Sequence, residues 1–140
     1  MKIAIAAAVI ALLLPATAFA EVTGTPSPAG AKVTILEPKA GTEVTSPLTV
    51  KFGIEGMEVA PAGTDKPNTG HHHLIIDGKL ADMASAIPVD EQHIHFGKGQ
   101  TEASVTLKPG PHTLQLVLGD KNHVPHVPPV VSEVVTITVK

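Results

Sequence analysis

The chain has 140 residues, 43% of them hydrophobic, no cysteine, tryptophan or tyrosine, and a formal net charge of -3 with its eight histidines neutral. It also lacks arginine, so all ten basic residues are lysines. This excludes disulfides and thiolate ligands or nucleophiles, disfavours arginine-clamped phosphate chemistry, and leaves neither the basic face nor the stacking rings that nucleic acids require.

The chain opens on a leader. Lys2 precedes an apolar run, Ile3 to Leu14, too short to span a bilayer, and Ala18-Phe19-Ala20 fits the small-x-small cleavage pattern. Residues 1–20 read as a secretory signal peptide cut before Glu21, which puts the mature protein of about 120 residues in a periplasm or outside the cell. No second apolar run of spanning length follows, so no membrane contact is expected after cleavage. That size suits one domain with one core. Residues 21–31, "EVTGTPSPAGA", are small and proline-containing without periodicity, and read as a flexible lead-in to a domain over 32–140.

From residue 32 the pattern has period two. Val33 and Ile35, then Leu48, Val50, Phe52 and Ile54, alternate with polar neighbours; so do Val105 and Leu107, Leu114 to Leu118, and Val135 to Val139. Each run is short and bounded by Gly, Pro or Asn, the signature of strands. Seven are predicted, near 32–37, 47–54, 72–77, 93–96, 102–107, 112–118 and 133–139. Residues 80–87, "LADMASAI", are the best helical candidate, about two turns before Pro88. The expected class is all-β, a two-sheet Greek-key sandwich of immunoglobulin type.

Three long stretches carry a closer resemblance. "NTGHHHLIIDG", "HIHFGKGQTEASVTLKPGPHTLQLVLGD" and "NHVPHVPPVVSEVVTITV" resemble the bacterial domain-of-unknown-function 4399 family, over nearly the whole mature chain. "VTILEPKAGTEVTSPLTVKF" and "LKPGPHTLQLVLGD" also resemble the opening strands and the E–F corner of bacterial immunoglobulin-like repeats, with His112 just after the corner in place of the usual tyrosine. The resemblance implies a sandwich and no particular activity.

All eight histidines fall between 71 and 126. If chain direction reverses at each strand, the loops after the second, fourth and sixth strands share one end of the sandwich. His71, His72 and His73 open the third strand there, His93 and His95 lie on the fourth, and His123 and His126 lie in the proline-rich loop after the sixth. His112 falls at the opposite end. Residues two apart share a face of a strand, so His71 and His73 point one way and His72 the other. The expected metal ligands are His71, His73, His93, His95, His123 and His126, with His72 and Met57 as secondary candidates. Asp77 and Glu102 are candidate carboxylates to orient an imidazole.

Imidazoles without thiolate suit copper, with zinc as the alternative. An exported copper-binding protein that buffers, delivers or stores the ion is the leading expectation. A metal-dependent enzyme with an open histidine site, and a structural, adhesive or pH-sensing module, are the alternatives. "HIHFG" resembles the His-x-His of copper–zinc superoxide dismutase, but this chain has neither that family's disulfide nor its arginine. The cupin pattern is echoed with the wrong glutamate spacing, and a copper monooxygenase brace would need histidine where Glu21 stands. No catalytic residue, organic cofactor or protein partner is assigned.

Overall fold

A computed structural model describes residues 24–140. The predicted signal peptide lies outside the described residues. Nine strands run in chain order: β1 (Lys32–Glu37), β2 (Glu43–Val44), β3 (Leu48–Glu55), β4 (Glu58–Val59), β5 (Thr69–Ile76), β6 (His93–His95), β7 (Glu102–Val105), β8 (Gly110–Gly119) and β9 (Val135–Val139). The seven expected strands are all there, and the two-residue β2 and β4 are additional edge pieces. No helix is found among the described residues. The predicted 80–87 helix is instead an irregular loop, whose apolar Leu80 and Ile87 pack onto the sheet beneath rather than forming a stripe.

The strands form a two-sheet, all-β sandwich. One sheet has the order β1-β3-β7; the other has the order β2-β9-β8-β5-β4, with β6 also paired to β5. Between them lies the core, in which alternating residues of facing strands interdigitate: Val33 and Ile35, Leu48, Val50 and Phe52, Leu74 and Ile76, Leu114, Leu116 and Leu118, and Ile137 and Val139. Each such fully buried side chain contributes roughly 1.5–3 kcal/mol of transfer free energy. In an immunoglobulin arrangement the fourth strand would lie beside β7. Here β6 lies antiparallel on β5, pairing His95 with His73 and His93 with Ile75.

Strand β5, "TGHHHLII", is buried along its whole length. One of its faces meets the core. The other is covered by the 80–92 loop and by the long connection between β8 and β9, so Ile75, Val117 and Ile87 make a second, smaller apolar cluster. A strand buried on both faces needs no polar alternation. The lead-in also differs from expectation: residues 24–28 are docked rather than free. Pro26 bridges Val127 in parallel, and the Ser27 amide donates to the Val127 carbonyl at 2.9 Å.

Candidate metal centre

His71 and His73 sit on the outward face of β5, two residues apart. His95 stands directly across from His73 in the antiparallel register and therefore shares that face. His123 enters from the β8–β9 connection. Each of the four offers one ring nitrogen, and these nitrogens all lie within 4.8 Å of one another. Nε2 of His71 faces Nε2 of His73 at 2.9 Å and Nδ1 of His123 at 3.1 Å. The His95 ring lies 4.7 Å from that of His123 and 5.0 Å from those of His71 and His73, centroid to centroid.

The backbone makes room for these rings. Gly119 lies opposite His71 on β8, and a Cβ there would stand 2.7 Å from Nε2 of His73. A Cβ at Gly97 would stand 2.3 Å from the His95 ring. Alanine at either position would have to displace an imidazole.

The electrostatics suit a cation. His71 and His73 are 0% exposed, and Nδ1 of both, with Nε2 of His95, is buried without a hydrogen-bond partner. Burial, then the neighbouring imidazoles, push the His71 pKa down to about 4 and that of His73 to about 3. Burial and then His123 also lower His95. Neutral imidazoles keep lone pairs for an ion, and Nε2 of His71, which faces two nitrogens, can donate at most one proton. With metal–nitrogen bonds of about 2.0–2.1 Å, tetrahedral ligand atoms lie about 3.3 Å apart. The spread here, from 2.9 Å up to 4.8 Å, brackets that separation.

The remaining expected ligands are elsewhere. His93 points into the same face as Ile75, two positions away from the cluster, and its Nδ1 meets the Asp90 carboxylate at 2.7 Å. His126 is fully buried, but its ring lies between the carbonyls of Thr69 and Leu118, at 3.2 and 3.4 Å. His72 faces the core, with its ring 5.0 Å from Phe52. Met57 packs in that same core, on the far side of the sheet from the cluster. His112 belongs to the opposite end, as expected: Nδ1 pairs with Asp77 at 2.6 Å and Nε2 donates to the Lys108 carbonyl at 2.7 Å. Asp77 therefore orients His112 rather than a ring of the cluster, and Glu102 is exposed on β7.

Sequence reasoning missed Asp120. It is 3% exposed and closes the turn that carries His123. Its Oδ1 accepts from the amides of Asn122 and Val124, and the His123 amide donates to its carbonyl. Burial raises the Asp120 carboxyl, but the hydrogen bonds from Thr25, Asn122 and Val124 outweigh it and leave the pKa lowered. The signal was available in "GDKNH", an Asp after a strand-ending Gly, the composition of an Asx turn.

A family model described as a domain of unknown function (DUF4399) matches residues 50–140, which include all eight histidines and Asp120. No curated protein and no solved structure matches the chain.

Proposed function

The chain belongs to the DUF4399 family, whose description carries no activity, and we propose from the site itself that it is an exported metal-binding protein that buffers, delivers or stores copper, with zinc as the alternative ion. His71, His73, His95 and His123 hold the ion. The convergence of their four ring nitrogens within 4.8 Å, two of the rings wholly buried, carries this reading. Four protein ligands favour holding an ion over activating a bound water, because catalytic sites of this type keep a coordination position open. All-imidazole ligation suits Cu(II), at the top of the divalent affinity order, with Zn(II) below it. Export fits the predicted leader and a ligand set that needs no reduced thiol.

The test is metal analysis of untagged protein, followed by copper and zinc titrations. The expected result is one ion per chain, bound tighter than micromolar and lost in a His71→Ala/His73→Ala double variant. Binding no tighter than micromolar for both ions would overturn the proposal.

A further inference from the structure

His123 is the only member of the cluster that no strand holds, and its backbone is in the left-handed region at φ 65°, which non-glycine residues rarely adopt. What holds it there is a hydrogen-bonded turn that continues into the first described residues of the chain. The Asp120 amide donates to the Val124 carbonyl at 2.8 Å, and the His123 amide to the Asp120 carbonyl at 2.9 Å. The Asp120 carboxylate then divides its work. Oδ1 takes the amides on either side of His123, Asn122 at 2.8 Å and Val124 at 3.1 Å. Oδ2 takes the Thr25 amide at 3.1 Å and the Thr25 hydroxyl at 2.8 Å.

Thr25 is part of a strap. The Val127 amide donates to the Thr25 carbonyl at 3.0 Å, the Ser27 amide to the Val127 carbonyl at 2.9 Å, and the Ser27 hydroxyl to the Pro128 carbonyl at 2.7 Å. Gly24 lies so close to this loop that a Cβ would stand 2.1 Å from the Pro125 carbonyl oxygen. The strap thus grips the histidine-bearing connection on both sides of His126, and one carboxylate joins it to the turn that presents His123.

We propose that Asp120 is the positioning residue for the fourth ligand, and that the strap Gly24–Ser27, acting through it, sets how tightly the ion is held. This rests on the metal-binding reading above. A strap in place keeps His123 over the three strand-borne imidazoles. A strap released leaves a three-histidine site and a weaker hold, which is the state from which an ion leaves. The segment whose sequence reads as a flexible lead-in is in this view part of the site's machinery.

The test uses untagged full-length protein, with Gly24→Ala to displace the strap sterically and Thr25→Val to remove the hydroxyl donor. Thr25→Ser is the conservative rescue. Three readouts are taken: exchange of the Val127 amide, carbethoxylation of His123 relative to His93 in metal-free protein, and zinc affinity. The expected result is faster Val127 exchange and faster His123 modification in Gly24→Ala. Zinc affinity should fall by about 10- to 100-fold, the usual effect of losing a supporting partner of a ligand. Thr25→Val should show a smaller effect in the same direction, and Thr25→Ser should restore wild-type values.

Faster Val127 exchange with unchanged His123 modification overturns the proposal, and so does a Gly24→Ala protein with an unchanged Val127 amide. A wild-type protein that binds no zinc or copper overturns the metal reading instead, while the two metal-free readouts still decide whether the strap positions His123.

Discussion

The two faces of β5 put the same residue type to opposite tests. Toward the core, His72 stands alone against Phe52, with neither ring nitrogen bonded and its pKa pushed down to about 4 by burial. Toward the outer loops, His71 and His73 are equally buried but meet His95 and His123. Burial keeps His71, His72 and His73 neutral alike, so burial alone does not mark a site. Convergence separates the two faces: among the described residues the outer one brings four imidazole nitrogens within 4.8 Å, where, in the proposed metal-binding reading, a cation would offset the cost of leaving them without water.

Removing one ligand breaks the outer face most directly. His73→Ala is expected to weaken copper or zinc binding by more than the ~10- to 100-fold typical of losing a supporting hydrogen bond. His95→Ala should do nearly the same, while His93→Ala, two residues away and paired with Asp90, should leave affinity close to wild type. Calorimetric titration of the three variants checks the contrast. Comparable losses for His93→Ala and His95→Ala would remove the register argument.

Acid should break both faces. His71, His72 and His73 have folded pKa values of about 4, 4 and 3, below the ordinary 6.5, so the unfolded chain binds more protons between those limits. Their contribution to stability is complete above pH 6.5 and is lost as pH falls towards 3–4. For His72, shifted by burial alone from 6.5 to about 4, the loss is about 3 kcal/mol. Denaturant titrations from pH 7 to pH 4 should show falling stability, and saturating zinc should delay the fall, because protons and metal compete for the outer rings.

His72→Leu sharpens the comparison. Replacing a buried, unbonded imidazole with a hydrocarbon of similar size should stabilise the neutral-pH protein by about 1–3 kcal/mol and flatten the acid limb, with metal affinity unchanged. Chemical denaturation with a parallel titration measures both. A loss of metal affinity would place His72 among the ligands.

What the sequence made legible follows from which rule governed each residue. The sandwich was readable because inward residues alternate along β1, β3, β8 and β9. The separation of His71 and His73 from His72 followed from the same two-residue period. The choice of His95 over His93 did not, because parity puts both on one face and only the register of β6 against β5 sets His95 opposite His73. Nor did the choice of His123 over His126. Their connection is irregular, and a turn built on Asp120 aims one ring inward while backbone carbonyls take the other. The 80–87 segment misled because a covering loop and an amphipathic helix bury the same few apolar residues.

The weakest effect belongs to the other end of β5. His112 lies between the Asp77 carboxylate and the Lys108 carbonyl, and those hydrogen bonds raise its pKa, the reverse of the shift in the cluster. A raised pKa contributes stability that is full below the unfolded value and is lost as pH rises through the folded one. His112→Ala should therefore cost stability in mild acid, by up to about 1 kcal/mol for a partly exposed pair, and less at alkaline pH, with no change in metal affinity. The sign of that pH dependence opposes the acid sensitivity of the cluster, so the difference between wild-type and variant stability should shrink between pH 6 and pH 9. A difference that grows over this range would mean that His112 is held neutral and that Asp77 does not charge it.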